Sequence, residues 1–193
     1  MIHNAKVCAT LFSAIVFLSC QNPETRGTKR EVVSIPDLGI RYTAPAGMVD
    51  KTSAESRQAR DHVSSYSQRA AMLLLDMSSQ DADASPDWHQ IWLFIFPRSG
   101  LRNLNDSSAE SKMSAALAGP HASTVGQPQG ETIAGHAFLV SEFQVSEPPL
   151  LKHAKIYTTI CKMQLVSFAL VSNSASQVEV MEDSLKTLEF SPR

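Results

Sequence analysis

Hydrophobic positions along this chain follow two rhythms. Residues 70–77 (AAMLLLDM) and 91–97 (IWLFIFP) are apolar on successive residues. Strands of that kind are buried on both faces, which predicts a sheet covered on each side. Residues 136–145 (HAFLVSEFQV), 153–161 (HAKIYTTIC) and 164–171 (QLVSFALV) predict three more strands. The last two are joined near Lys162-Met163 by a connection short enough for a hairpin. Ahead of these, residues 32–35 and 39–43 are short β-rich pieces punctuated by Pro36-Asp37 and Pro45-Ala46-Gly47.

Helical spacing appears in three places. Thr52 and Glu55 stand as in a capping box before a short helix over about 53–63 with a thin apolar stripe. Residues 107–118 form a better helix, with Ser107 and Glu110 as its capping box and Gly119-Pro120 as its stop. The clearest element comes last. Ser174 and Gln177 cap a helix on which Val178, Met181, Leu185 and Leu188 make the apolar stripe, with Glu179, Glu182, Asp183 and Lys186 on the other side. The fold class expected is α+β: a mostly antiparallel sheet covered by helices on both faces, an α/β/α sandwich.

The N-terminus follows neither rhythm. Residues 7–18 (VCATLFSAIVFL) are an apolar-to-neutral run after a weakly basic start, the shape of an export signal and too short to span a bilayer. An ordinary cleavage site needs small residues at −3 and −1, and Phe17 occupies −3. Leu18-Ser19-Cys20 instead resembles the end of the bacterial lipoprotein signal, in which an invariant cysteine follows a small residue. A thiol suits that position because sulfur takes a diacylglyceryl group as a thioether. Cleavage before Cys20 then frees an amine for a further acyl chain, and two or three chains anchor stably. The resemblance implies a signal peptide over 1–19, a polar tether over 20–30 (containing Pro23 and Gly27) and one domain over 31–193. It also implies export with a lipid anchor. Gln21, in place of an aspartate, points to the outer membrane facing the periplasm rather than the inner one.

A second resemblance lies in the folded part. The segments LGIRYTAPAGM (38–48), IAGHAFLVSEF (133–143), KIYTTICKMQLVSFAL (155–170) and EDSLKTLEF (182–190) are similar in order and ending to the PsbP/Mog1/DcrB-like group, over residues 31–191. That group consists mostly of extrinsic or envelope proteins that bind partners. The resemblance therefore implies a binding domain and no catalytic residues to carry over.

Composition narrows the picture. The chain has 17 basic and 19 acidic residues. Residues 1–19 hold Lys6 and no acid, so the processed chain carries 16 basic residues and a net charge of −3. No Lys/Arg cluster suggests nucleic acid. Of Cys8, Cys20 and Cys161, processing leaves Cys161 alone as a thiol, so no internal disulfide and no multi-cysteine metal site is expected.

Candidate chemistry is sparse. Asp81, Asp83, Ser85 and Asp87 occupy positions 1, 3, 5 and 7 of a calcium-loop pattern, but Pro86 stands at the glycine position and Trp92 at the glutamate position. His62, His89, His121, His136 and His153 have no metal-ligand spacing. Arg98 and Arg102 follow a strand end and read as solvated. Trp88 and Trp92 read as packing. No G-x-S-x-G elbow and no glycine-rich phosphate loop is present. No metal, cofactor or nucleic acid is expected. The function expected is a lipid-anchored bacterial envelope protein with a non-catalytic binding domain for an envelope protein or small ligand. The alternative is an envelope hydrolase whose site is assembled from residues distant in sequence.

The anchor has a direct test. Intact mass of the mature wild type is expected to begin at Cys20 and to include acyl chains, and Cys20→Ser is expected to carry no lipid mass. A wild-type chain starting elsewhere, or unmodified at residue 20, would make this an ordinary secreted protein.

Overall fold

The computed structural model describes residues 30–61, 63, 72–96, 121–147, 150–162 and 164–191. The expected signal peptide with Cys8, the lipidation site Cys20, the tether up to residue 29 and the helix over 107–118 lie outside the described residues. So do His62, Arg98 and Arg102.

The elements run β1 (Val32–Ile35), a 3-10 turn (Pro36–Leu38), β2 (Ile40–Thr43), β3 (Val49–Asp50), α1 (Ala54–Asp61), β4 (Met72–Ser78), β5 (His89–Phe96), β6 (Ala122–Ile133), β7 (His136–Glu147), β8 (Leu150–Cys161), β9 (Gln164–Ser172), α2 (Ala175–Leu185) and β10 (Glu189–Phe190). They build a seven-stranded sheet in the order β3-β4-β5-β9-β8-β7-β6 and a three-stranded sheet in the order β1-β2-β10. Every described pairing is antiparallel. The class is α+β.

Register assigns the faces. Ile91, Leu93 and Ile95 stand opposite Leu170, Phe168 and Val166, and Phe168 stands opposite Tyr157. These residues share one large core with Val33, Ile40 and Tyr42 of the small sheet, Ala59 of α1, and Val178, Met181 and Leu185 of α2. Trp88, Phe143, Ala154, Ile156, Ala169 and Val171 form a smaller cluster on the other face. Both described helices face the large core, α1 through Ala59 and α2 through Val178, Met181 and Leu185, while Val180 of α2 is exposed. β9, in the middle of the sheet, is buried from Leu165 to Ser172. β5 alternates instead, with Trp92, Phe94 and Phe96 half-buried.

Several boundaries differ from the expectation, each for a local reason. β6 is a full strand that the hydrophobic pattern does not announce. It turns into β7 through Ala134 and Gly135, both at positive φ (49° and 78°), the conformation a two-residue hairpin turn requires. The cap of α1 is Ser53, whose Oγ accepts from the Ser56 amide at 3.1 Å. The Thr52 hydroxyl is used elsewhere, accepting from the Asp76 amide at 2.9 Å. Ser174 makes no side-chain cap to α2, and its Oγ meets Ser176 Oγ at 2.8 Å. Gly39 starts no strand: it sits at φ 66° as the left-handed residue closing the 3-10 turn, and a Cβ there would come within 3.1 Å of the Ser191 carbonyl.

β2 meets α2 and the segment that follows it. The Tyr42 hydroxyl lies 2.6 Å from Ser184 Oγ, and Ser184 donates to the Met181 carbonyl at 2.5 Å, so Tyr42 is the donor of the first bond. Thr187 Oγ1 accepts from the Thr43 amide at 3.0 Å, and the Ser191 amide donates to the Gly39 carbonyl at 2.7 Å. Cys161, at the end of β8, is buried and its thiol donates to the Leu38 carbonyl at 3.1 Å.

Leu185 lies in the middle of the stripe with 1% of its surface exposed. Leu185→Ala is expected to destabilise the protein by ~2–5 kcal/mol through the cavity it leaves, read as a shifted urea midpoint. A loss below ~0.5 kcal/mol would place α2 off the core.

Candidate functional site

α2 lies over β8, β9 and β5, and it stops short of the outer strands. β6 and β7 extend past it and leave a groove on that face. One lobe, of about 190 Å³, lies between α2 (Val178, Glu179, Glu182) and β8 (His153, Lys155). A second, of about 330 Å³, lies over the β6 bulge, lined by Gly126, Gln127, Gln129, Glu131 and Val140. Val125, Glu142 and Lys155 border both lobes, so the two are one groove. The bulge falls between Val125 and Gln129, where Gly126 adopts φ 71°.

Lys155 is the centre of the groove. Strand alternation sends Lys155 and Tyr157 to the same face, and Glu142 stands directly opposite Lys155 on β7. The Lys155 ammonium reaches Glu142 at 3.2 Å and also pairs with Glu182 of α2. Tyr157 donates its hydroxyl to the same Glu182 carboxylate. The Lys155 and Glu182 side chains are only 21% and 23% exposed, so this pairing is less screened than a surface ion pair.

The electrostatics follow from the geometry. Burial pulls the Lys155 pKa down, but Glu182 and Glu142 more than offset it, and the net shift is upward. Burial pushes the Tyr157 hydroxyl well above the usual phenol range, and the fields of Glu182, Glu131 and Glu142 add to it. Lys155 is therefore held as an ammonium and Tyr157 as a neutral phenol. A nucleophilic lysine needs the opposite shift. What the arrangement does well is present fixed charge and hydrogen-bonding groups along an open groove.

Comparison with known proteins bears on the architecture. No family model matches the sequence, and no curated protein matches it. The solution structure of cyanobacterial PsbP (CyanoP) from Synechocystis sp. PCC 6803 is similar to this chain with a TM-score of 0.57. Identity is 11%, and the match covers 90% of this chain and 98% of that one. The fold is PsbP-like. LpqN of Mycobacterium tuberculosis gives a TM-score of 0.49 at 12% identity, covering 85% of this chain and 91% of that one. PA94 of Pseudomonas aeruginosa gives 0.48 at 10%, covering 85% and 97%. Likeness at these identities concerns the fold and not the chemistry.

On this PsbP-like frame the residues singled out in the sequence are scattered. In the 81–87 turn, the carbonyls of Asp83 and Ser85 accept from Asn173 Nδ2 at 2.7 and 2.8 Å, so those oxygens are engaged. No group of three His, Cys, Asp or Glu side chains is arranged to hold a metal ion among the described residues. His89 Nδ1 lies 2.7 Å from the Asp87 carbonyl, and His136 stacks on Phe190 at 3.8 Å. His153 alone of the described histidines borders the groove. Trp88 is buried in the smaller cluster with the Lys152 ammonium 5.0 Å above its ring, and Trp92 packs against Phe94. A second charged cluster, Asp50 with Arg57 at 3.3 Å and Arg60 at 3.6 Å, ties α1 to β3 at the far edge of the sheet. Glu182 is the correction to the helix reading. It belongs to the groove wall rather than to a purely solvated side of α2.

The raised pKa values set a pH dependence. The folded state keeps protons on Tyr42 and Tyr157, and on Lys155, that the unfolded chain releases above about pH 10. Their contribution is complete below that pH and is lost as pH rises beyond it. Tyrosinate absorbance at 295 nm is expected to report Tyr42 and Tyr157 only in step with the loss of far-ultraviolet circular dichroism. Ionisation of both near pH 10 with the dichroism intact would show that the hydroxyls are solvated.

Proposed function

We propose that this chain is an exported accessory protein of the cell envelope, held to the membrane by lipid on Cys20. Its PsbP-like domain binds a partner in the Lys155 groove and performs no reaction of its own. Leu18-Ser19-Cys20 supports the anchor. The observation that carries the binding reading is the locked state of the groove: Lys155 and Tyr157 both donate hydrogen bonds to Glu182, and the shifts of both favour keeping their protons. At the centre of the groove Lys155, Tyr157 and Glu182 hold one another, with charge fixed in place as at a recognition surface.

A photo-cross-linking residue at Gln129, which lines the groove, tests the reading in living cells. One discrete adduct is expected there. The same residue at Val32, exposed on the small sheet, is expected to give none. Absence of an adduct at Gln129, or the same ladder from both positions, would remove the groove as a binding site.

A further inference from the structure

We propose that the groove holds an extended, cationic polypeptide segment, laid along β6 and β7 with its basic side chains over the two lobes. The proposal rests on the reading of the groove as a binding site and names the occupant.

Three features converge on that occupant. The first is an uncovered sheet face. Val125, Gln129, Glu131 and Glu142 are exposed there, although each lies within a paired strand. No described strand pairs with the outer edge of β6.

The second is charge. Glu131, Glu142, Glu179 and Glu182 line the two lobes, and Lys155 is the one lysine or arginine among the lining residues. That ammonium is already engaged by Glu142 and Glu182. Four carboxylates against one ammonium give the groove a net charge of −3, as much as the whole processed chain carries. The fields of Glu131, Glu142 and Glu182 all reach the Tyr157 hydroxyl, so these carboxylates act on one region. Such a surface attracts cations and repels anionic lipid and nucleic acid.

The third is shape. The lobes of about 190 and 330 Å³ meet at Val125, Glu142 and Lys155, so the groove runs from α2 out to the β6 bulge. Two shallow lobes in series match side chains spaced along an extended chain. Val125, Val140 and Val178 border them and offer apolar contact to the stems of lysine or arginine.

The experiment is fluorescence anisotropy with the full chain and a labelled octapeptide of alternating lysine and valine. Its counterpart with glutamate for lysine is the control. The lysine peptide is expected to bind and the glutamate peptide not. Affinity is expected to fall at least about tenfold between about 50 and 500 mM salt, as screening predicts. Glu131→Gln with Glu142→Gln is expected to weaken binding about tenfold or more with native far-ultraviolet circular dichroism retained, because both side chains are exposed and Lys155 keeps its pairing with Glu182. Glu31→Gln with Glu55→Gln removes the same charge from exposed positions beside β1 and on α1, away from β6 and β7, and is expected to leave affinity unchanged. Equal binding of the two peptides, equal loss in both double variants, or full affinity in the Glu131/Glu142 variant would overturn the proposal. So would displacement by spermidine at the peptide's own affinity, which would make the occupant a small amine. A Gln129 adduct without charge-dependent peptide binding would overturn this inference and leave the groove standing as a site for an uncharged partner.

Discussion

The hydrogen bond from the Tyr42 hydroxyl to Ser184 joins residues 142 apart in sequence, inside the core. Both groups are buried, and a buried hydroxyl left unpaired costs about 1–3 kcal/mol. The bond therefore constrains as much as it attracts. α2 can seat its apolar stripe on the large sheet only in the position that also presents Ser184 to β2. Ser184 hands its own proton to the Met181 carbonyl, so the contact is completed within the helix. Thr187 then clamps Thr43, and β10 pairs with β2. The helix position, the small sheet and the wall of the groove all follow from that placement.

The groove itself is a consequence of widths. Strands lie about 4.8 Å apart, so a seven-stranded sheet is roughly 30 Å across. A helix with its side chains is about 10 Å wide and covers about two strands. α2, with 11 residues, sits over β8 and β9, and the α1 side is closed by other elements of the large core. The β6–β7 hairpin has no helix of its own among the described residues. Polar residues occupy that face because water reaches it, and Lys155 and Glu182 stand at the boundary where helix cover ends.

Much of this architecture is legible in the sequence because it depends on burial. The stripe of α2 and the apolar runs of β4, β5, β7, β8 and β9 are hydrophobic patterns, and hydrophobic patterns report the core. β6 is silent for the converse reason. It is an edge strand whose side chains face water over most of its length, so ASTVGQPQGETI shows no alternation, and Gly126 and Pro128 read as loop. Its existence depends on pairing with β7, a tertiary fact. The site is legible only in halves. Lys155 and Tyr157 are two apart on a strand and must share a face. Glu182 follows the stripe residue Val178 by one helical turn. Nothing local says that Lys155 meets Glu182, 27 positions further along the chain. The anchor belongs to a different kind of signal, a short motif read by its chemistry.

Cys161 adds a kinetic consequence. Its thiol is shielded only once the Leu38 carbonyl, 123 residues earlier in the chain, has come to rest against it. Shielding is therefore a late, long-range event, and long-range events in sheet-rich topologies are slow. Until it happens, the thiol is open to any oxidant present. In surroundings that favour disulfides, and with Cys8 removed and Cys20 lipidated as proposed, the Cys161 thiol could react only with a thiol on another molecule. Folding would then be a race between the docking of β1 and β2 and the capture of one newly made chain by the next. Slowing the first step, by cold or by a mutation in β1 or β2, would convert a stability defect into covalent dimers.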